Sequence, residues 1–370
     1  MTARVAVTGM AWHTALGRAG TAWEALLAGR SGVRPVDAQV PLRNTLAAPL
    51  PAGPAETLGP GALARLTAGT VREALADAGI EGAGDTLLVA GTSLGDSTSG
   101  TGADLGDWAV AAAAELGLGR EPVTVSTACS SGTDAIAIGA AAIAAGAVDR
   151  CVAGGADLIT LTKRLGHSGL GTMSPTTARP FDDRHDGMLL GEGAAFVVLE
   201  NAEVALRRAA PVRGWVRGWG SAMDAAKATA SDGTSDAAVL AIRRALDRAG
   251  LTGAQVDIVC THGTATPVND AVEAGCYRRV FGDDLVPYAF GVKSALGHSL
   301  GAAGAIETVA LLRALADGRV PPTAGTEQVL RDFPLVLARK AEPFDGRYGI
   351  NLTIGFGGFN TCLVVERGDA

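Results

Sequence analysis

Short apolar segments alternate along the chain with longer stretches of helical periodicity. In the first part of the chain, the apolar segments are β-branched or continuously hydrophobic, which predicts strands at residues 5–10, 86–91, 123–127 and 151–158. Between them, apolar residues recur at helical spacing over residues 22–28, 63–78 and 134–147. Continuously hydrophobic strands are typical of a sheet that is covered by helices on both faces. The pattern therefore predicts a layered α/β fold.

A second set of elements of similar order and length follows. Helical periodicity covers residues 236–249, 270–280 and 302–315. Strand-like segments cover residues 257–263, 289–295, 350–356 and 361–366. The segments 194–200 and 212–219 predict two strands that pair with each other as a meander. The break between them predicts two related halves stacked on one another, residues 1–205 and 206–370.

Composition and charge narrow the class of protein. Of the 370 residues, 48% are hydrophobic and 19% are charged, which excludes a disordered chain. The net charge of −7 argues against nucleic acid or anionic lipid as the main partner. The longest apolar run, residues 135–148, is shorter than the ~20 residues that a membrane crossing needs. The five cysteines form no CxxC pair, so we expect neither a metal site nor disulfides. Free cysteines are typical of a reducing compartment, and we therefore expect a cytoplasmic protein.

The strongest chemical signal is the segment VSTACSSGTDAIAIG, which runs from a strand through a small-residue turn into a helix. This setting places Cys129 at or just before a helix N-terminus, where backbone amides and the helix dipole stabilise a thiolate. Free cysteines are also often plain core residues. On this segment alone, both interpretations stay open.

Two further segments carry histidines beyond strand ends. His262 lies in THGTATPVND, at the usual active-site edge of an α/β sheet, although a solvated turn histidine fits equally well. Asp270, at the end of that motif, is a candidate helix cap. The segment GVKSALGHSLGAAGAIE holds Lys293 five residues before His298. Only four lysines occur in the chain, so a lysine at the end of an apolar strand favours function over chance surface charge.

The last segment is NLTIGFGGFN, residues 351–360, whose glycines favour a tight turn. Together, the four segments place one cysteine, two histidines and one lysine at turns that follow strands. Coincidence at all four turns is far less probable than at any one of them. The sequence therefore predicts that these turns converge on one pocket.

These segments resemble the β-ketoacyl synthases, the decarboxylating condensing enzymes of fatty-acid and polyketide assembly. TACSSG resembles the family's nucleophile motif, HGTATPVND its first histidine motif, and VKSALGHSLGAAGAIE its lysine and second histidine motif. GFGGFN is similar to the C-terminal glycine turn, where GFGGTN is common, and RPFDDRHDGMLLGEGAAFVVLE also fits. The resemblance runs in order from residue 5 to residue 366. It implies a thiolase-like fold of two similar stacked βαβαβαββ halves in an α-β-α-β-α layered arrangement.

The resemblance also implies catalytic roles. Cys129 would take an acyl group from acyl carrier protein and hold it as a thioester. His262 and His298 would act as neutral N–H donors to the carbonyl of a malonyl unit, which loses carbon dioxide and leaves an enolate. Lys293 would order the His298 side with Glu307 as its partner.

Substrate-binding roles follow from the same resemblance. The backbone N–H groups of Cys129 and Phe356 would hold the oxyanion, and the Phe356 ring would act as a gate. The resemblance further implies substrate contacts at Thr264, Thr266 and Gly357, and structural support from Asp270. It implies no metal and no organic cofactor. The implied partners are acyl carrier protein and a second copy of the chain or a related subunit, with no nucleic acid and no membrane.

The sequence departs from the family pattern in places. The segments 41–61 and 100–108 are shorter than in related chains, which bears on the acyl tunnel and the carrier-docking surface. Asp134 in CSSGTD is closer to polyketide and aryl-polyene synthases, which favours secondary metabolism. Two alternatives stay open: an acyltransferase that forms an ester or amide from the same acyl-cysteine, and a non-catalytic partner similar to chain-length factors, which usually lack the cysteine.

Overall fold

The computed structural model describes residues 4–53, 58–82, 84–96, 104–225, 233–282 and 284–368. Parts of the two shortened segments, residues 54–57 and 100–103, therefore lie outside the described residues.

Sixteen strands occur in the described ranges, and most of their residues are buried. In chain order they are β1 Val5–Thr14, β2 Gly17–Arg18, β3 Arg34–Pro35, β4 Leu46–Ala47, β5 Leu87–Gly91, β6 Val123–Val125, β7 Arg150–Asp157, β8 Gly193–Asn201, β9 Gly214–Met223, β10 Ile258–Cys260, β11 Tyr288–Phe290, β12 Arg319–Val320, β13 Val336–Leu337, β14 Glu342–Pro343, β15 Tyr348–Ile354 and β16 Phe359–Arg367.

The α-helices of the described ranges differ in length from one turn to four. They are α1 Ala19–Leu27, α2 Ala62–Asp77, α3 Asp107–Leu116, α4 Ser131–Ala144, α5 Leu161–Gly169, α6 Ala202–Arg207, α7 Asp236–Ala249, α8 Pro267–Phe281, α9 Lys293–Leu296 and α10 Ala303–Asp317. Short 3₁₀ turns precede α4 at Ala128–Ser130 and α10 at Leu300–Ala302, and another lies at Phe356–Gly358.

The main strands form two sets with the same topology. The first set has the order β1-β8-β7-β5-β6 and the second has the order β9-β16-β15-β10-β11. Each set of five strands has four neighbouring pairs. In both orders, the first two pairs are antiparallel and the last two pairs are parallel. With the intervening helices, each set reads βαβαβαββ along the chain. The two similar halves are confirmed, while a boundary between residues 205 and 206 stays a prediction.

The two sets join through β1, which corrects the predicted meander. β8 and β9 do not pair with each other; both pair with β1, which lies between them. The junction pairs Val5 with Val216 and Val7 with Gly214. The chain between β8 and β9 forms α6 instead of a tight turn, so neighbours in sequence are separated by one strand in the sheet.

The helices and the two strand sets form five alternating layers. Ile136 of α4 and Leu311 of α10 pack in a central core with Val197 and Val365, which come from the two strand sets. A second core joins α2 and α3 to the other face of the first set, and a third joins α7 and α8 to the second set. The predicted α-β-α-β-α arrangement is therefore confirmed. No helix in the described ranges is long and apolar enough to span a bilayer.

Small residues let the two central helices start close together. A Cβ atom on Gly132 would lie 2.9 Å from the carbonyl oxygen of Gly301. A Cβ atom on Gly304 would lie 1.7 Å from the hydroxyl oxygen of Thr133. Because Cys129 precedes α4 and His298 precedes α10, this close approach brings the two side chains into one pocket.

Candidate active site

Cys129 lies in the turn that leads from β6 into α4. The 3₁₀ turn Ala128–Ser130 begins with Ala128 at a φ of 54°, a left-handed conformation that is uncommon for a residue with a Cβ atom. Cys129 itself is only 6% exposed. The predicted position just before a helix N-terminus is correct, and the strained turn directs the thiol into the pocket.

His298 lies next to the thiol. Its Nε2 atom is 3.1 Å from the Sγ atom of Cys129. On the other side of the ring, the backbone N–H of Leu300 donates to Nδ1 at 3.2 Å. Since Nδ1 accepts this hydrogen bond, the proton of the neutral ring is on Nε2. His298 therefore directs an N–H donor towards the sulfur.

His262, which follows β10, has the same tautomer for a different reason. The Nζ atom of Lys293 donates to its Nδ1 at 3.1 Å and to its carbonyl oxygen at 2.5 Å. An ammonium group cannot accept a hydrogen bond, so Nδ1 is the acceptor and Nε2 carries the proton. The rings of His262 and His298 meet edge to face, with centroids 5.4 Å apart. The pocket thus holds two neutral N–H donors side by side.

Lys293 forms a buried ion pair with Glu307, as the family resemblance implied. It bonds to His262, however, and so lies on the His262 side and not on the His298 side. The predicted strand 289–295 is also too long: β11 ends at Phe290, and Lys293 begins the single turn of α9. The turn rotates the lysine out of the sheet and towards His262.

Burial and the lysine keep both imidazoles neutral. The pKa of His262 is lowered well below 6.5, first by burial and then by the charge of Lys293. The pKa of His298 is lowered in the same way and by the same two causes. Burial raises the pKa of Glu307 to about 7, against the opposing effect of Lys293. Neutral rings at physiological pH are what the donor role requires.

The resting form of Cys129 is a thiol. Burial raises the pKa of Cys129 to about 11, although Lys293 and the backbone N–H of Phe356 act to lower it. The thiolate that the helix N-terminus suggested is therefore not the resting form, because desolvation outweighs the nearby positive charge and N–H groups. Any reaction that uses this sulfur as a nucleophile must therefore first remove its proton.

Phe356 contributes both its backbone and its ring. Its N–H donates to the Sγ atom of Cys129, and its ring stacks on His167, with centroids 5.8 Å apart and planes inclined by 28°. Gly357 and Gly358 follow with φ values of 80° and 81°, which suit glycine. Gly357 follows Phe356 directly in this turn, and its predicted substrate contact stays a prediction.

A cavity of about 250 Å³ opens onto these groups. Cys129, His262, His298 and Phe356 line it. The predicted threonines Thr264 and Thr266 line it too, and their hydroxyl oxygens lie 2.9 Å apart. The remaining wall residues are Gly171, Thr172, Asp186, Gly187, Met188, Pro267, Val268, Asn269, Ile354 and Gly355. Within the described ranges, no cluster of three His, Cys, Asp or Glu side chains could hold a metal ion.

Asp270 supports the cavity without capping a helix. One carboxylate oxygen accepts from the backbone N–H of Phe181 at 2.7 Å and lies 2.8 Å from the Nδ1 atom of His185. The capping alternative is therefore wrong, since the carboxylate ties the segment before β8 to α8. That segment supplies Gly187 and Met188 to the cavity wall.

Sequence reasoning missed Glu273, a fully buried carboxyl on α8. It accepts from the backbone N–H of His262 at 2.8 Å, from that of Gly263 at 2.6 Å and from the Tyr277 hydroxyl at 2.6 Å. Burial raises its pKa to about 7. The sequence held one signal for Glu273: it is an acidic residue between Val272 and Ala274, on the apolar side of a predicted helix.

Asp134 has a structural role that the sequence did not reveal. One oxygen accepts from the hydroxyls of Thr127 and Ser130, at 2.6 and 2.7 Å. The other accepts from the hydroxyl of Thr361 at 2.6 Å. Thr127 and Ser130 flank the Ala128-Cys129 pair, so Asp134 fixes the nucleophile turn against β16.

Comparisons with known proteins identify the family. The model of the β-ketoacyl synthase N-terminal domain matches residues 50–205, and that of the C-terminal domain matches residues 213–327. The chain belongs to the β-ketoacyl synthase family. Curated relatives include 3-oxoacyl-[acyl-carrier-protein] synthase 2 of Vibrio cholerae, 34% identical over 68% of this chain and 63% of the relative. The protein of the same name from Rhizobium meliloti is 37% identical over 66% and 60%. The matched part therefore spans about six tenths of these relatives.

Solved structures of β-ketoacyl synthases and ketosynthases share the whole fold. The ishigamide ketosynthase/chain length factor superposes with a TM-score of 0.91 at 30% identity, covering 100% of both chains. A β-ketoacyl synthase from Burkholderia phymatum superposes with a TM-score of 0.88 at 29% identity, covering 99% of this chain and 100% of that one. A type II PKS ketosynthase in complex with its acyl-carrier protein has a TM-score of 0.90 at 22% identity, with complete coverage of both chains, and shows the fold alone. The thiolase-like fold is confirmed.

Proposed function

We propose that this β-ketoacyl synthase family member condenses a malonyl unit, with loss of carbon dioxide, onto an acyl group held on Cys129. One observation carries the proposal: the Nε2–H of His298 lies 3.1 Å from the Cys129 sulfur, with His262 beside it, in one cavity. Both Nδ1 atoms already accept hydrogen bonds, so both rings direct an Nε2–H donor into the cavity. The catalytic residues are Cys129, His262 and His298, with Lys293 acting through His262.

The first half-reaction loads the nucleophile. The Cys129 sulfur forms a bond to the acyl carbon, the bond from that carbon to the carrier sulfur breaks, and the thiol proton ends on the departing carrier thiol. The N–H groups of Cys129 and Phe356 stabilise the oxyanion of the tetrahedral intermediate. The existing contact of the Phe356 N–H with the sulfur supports this placement.

The second half-reaction uses the two imidazoles. The bond between the malonyl carboxylate and its α-carbon breaks, carbon dioxide leaves, and the electron pair forms an enolate whose oxygen accepts from both Nε2–H groups. The α-carbon then bonds to the acyl carbonyl carbon, and the bond to the Cys129 sulfur breaks. The thiolate takes a proton from solvent and regenerates the thiol. The reaction as written uses no metal and no organic cofactor.

We infer that the substrates are carried by acyl carrier protein, since the curated relatives are named for it. Likeness to the ishigamide ketosynthase/chain length factor over the whole chain supports polyketide-type secondary metabolism and pairing with a related subunit. The alternative is pairing with a second copy of the chain. Measurement of the molecular mass of the purified chain in solution would test it. The predicted cytoplasmic location stays a prediction.

Intact-protein mass spectrometry tests the loading step. A panel of acyl carrier thioesters is offered to the wild-type protein and to the Cys129→Ala variant. We expect one retained acyl mass on the wild type and none on the variant, and the retained mass identifies the acyl group. Malonyl carrier thioester is then added, and carbon dioxide and the extended product are measured.

The alternatives give different results in the same experiment. An acyl adduct on Cys129 without carbon dioxide release would favour the acyltransferase that forms an ester or amide. Failure to accept any acyl group, combined with stimulation of a partner synthase, would favour the chain-length-factor-like subunit. Either result would overturn the condensing function.

A further inference from the structure

A buried ion pair lies behind the His298 turn and takes no part in the proposed reaction steps. Asp157, the last residue of β7, and Lys163 of α5 form this pair, and both side chains are almost fully shielded from solvent. The Lys163 ammonium also donates to the carbonyl oxygen of Leu158 at 3.0 Å. Burying two charges is costly, and such pairs are poor sources of stability. A role in the site would account for the pair.

The second carboxylate oxygen of Asp157 connects the pair to the site. It accepts from the backbone N–H of Gly301 at 2.9 Å and from that of Ser93 at 2.8 Å. Gly301 belongs to the 3₁₀ turn Leu300–Ala302, which follows His298 directly. Asp157 thus clamps this turn to the segment after β5.

The clamped turn is the one that determines the His298 tautomer. Leu300 has a φ of 50°, a left-handed conformation that a leucine adopts only when its surroundings enforce it. Its own N–H donates to the Nδ1 atom of His298. The peptide that follows Leu300 is held by Asp157 on its N–H. The φ of Leu300 relates this peptide to the preceding one, which contains the Leu300 N–H. Without the anchor on Gly301, Leu300 could leave the left-handed conformation, and its N–H would then change direction relative to the ring.

We propose that Asp157, held in place by Lys163, is a positioning residue for His298. Its carboxylate keeps Leu300 in the left-handed conformation, so that the Leu300 N–H occupies Nδ1 and the ring keeps its proton on Nε2. Lys163 holds the other carboxylate oxygen and so prevents the carboxylate from rotating away from Gly301. The consequence for decarboxylation rests on the proposed function, whereas the tautomer is independent of it.

Two double variants separate the hydrogen-bond acceptor from the charges. Asp157→Asn with Lys163→Met removes both charges and keeps an acceptor for Gly301 and Ser93. Asp157→Leu with Lys163→Met removes both charges and the acceptor. Should the leucine variant fail to fold, Asp157→Ser with Lys163→Met replaces it, because the shorter side chain leaves Gly301 out of reach. Thermal unfolding establishes which variants fold.

The first readout is the ¹⁵N NMR spectrum of histidine-labelled protein. The chain has only five histidines, and loss of a signal in His298→Asn assigns that residue. We expect the Nε2–H signature of His298 in the wild type and the asparagine variant, and a mixture of tautomers in the leucine variant. This readout stays valid even if the protein proves not to condense acyl groups.

The second readout is carbon dioxide release from malonyl carrier thioester, compared with acyl loading of Cys129. We expect the asparagine variant to stay within about threefold of the wild type, and the leucine variant to lose about a hundredfold in decarboxylation and much less in loading. The proposal would be overturned if the asparagine and leucine variants had the same His298 tautomer and the same decarboxylation rate. This holds whether both variants match the wild type or both lose activity to the same extent. Absence of decarboxylation by the wild type would instead contradict the proposed function.

Discussion

The Nε2 atom of His298 lies 3.1 Å from the Sγ atom of Cys129, and the two residues are 169 positions apart in the chain. The ring is neutral with its proton on Nε2, so it is a donor to the sulfur rather than a base for the thiol. In the proposed reaction, loading and decarboxylation therefore depend on different groups, the thiol in one case and the two N–H donors in the other. This separation can be tested by mutation.

Replacing the thiol should remove one half-reaction only. Cys129→Ala should abolish acyl loading, whereas decarboxylation of malonyl carrier thioester should continue, because both imidazoles keep their Nδ1 partners. Intact mass and carbon dioxide release are the measurements. His298→Asn is the matched control and should retain the acyl adduct while losing decarboxylation. An acyl adduct on another residue in the alanine variant would refute the assignment of the nucleophile.

The pH dependence of decarboxylation should reflect the depressed imidazole pKa values. The pKa values of His262 and His298 lie well below 6.5, so the wild-type rate should not fall as the pH drops from 8 to about 6.5. Lys293→Met removes a cation that disfavours ring protonation, so both pKa values should rise and the acid limb should move to higher pH. Protonation at Nδ1 removes the acceptor that the Leu300 N–H uses on His298 and that the Lys293 ammonium uses on His262.

The control for that profile is Lys340→Met. Lys340 is 82% exposed, and its Nζ atom lies 3.7 Å from a carboxylate oxygen of Glu342. Its removal should leave the profile unchanged. An acid limb that stays in place in Lys293→Met would show that the lysine does not control the protonation of the imidazoles.

The stack between His167 and Phe356 should affect loading. Removing the ring in His167→Ala should slow acyl loading about fivefold, since an aromatic pair contributes about 1 kcal/mol and this one holds the turn whose N–H faces the sulfur. His167→Phe keeps a ring and should recover most of the rate. Thr172→Val keeps the ring stack and removes the two contacts of the hydroxyl, with the Nδ1 atom and with the carbonyl oxygen of His167, and should have a smaller effect. Stopped-flow measurement of thiol release would check all three.

The contact between the central helices should be intolerant of an added methyl group. Gly304→Ala would place a Cβ atom 1.7 Å from the Thr133 hydroxyl, which itself lies 2.8 Å from that of Thr353. We expect a loss of about 1–3 kcal/mol in the free energy of unfolding, measured in urea. Gly166→Ala, in a helix with open space around the position, should instead be neutral or stabilising by about 0.5–1 kcal/mol. Equal stability of the two variants would contradict this packing.

Some elements could be predicted closely and others not. The helix predicted over residues 236–249 is α7 Asp236–Ala249, since its apolar face shows clear helical periodicity. The strand predicted through Lys293 stopped at Phe290, because apolar residues in a short segment fit a buried helical turn as well as a strand. No helix was predicted over the segment of α5, which carries His167 and Lys163.

The sequence by itself determined the layered α/β class, the four turns that carry the chemistry and the family, because each depends on local pattern and residue type. It could not determine that Lys293 serves His262, that β1 separates β8 from β9, or that Glu273, Asp134 and Asp157 hold the catalytic turns. Those relationships join positions through backbone N–H groups and hydroxyls, which every segment offers. Which carboxylate reaches which donor is decided only when the helices and strands pack.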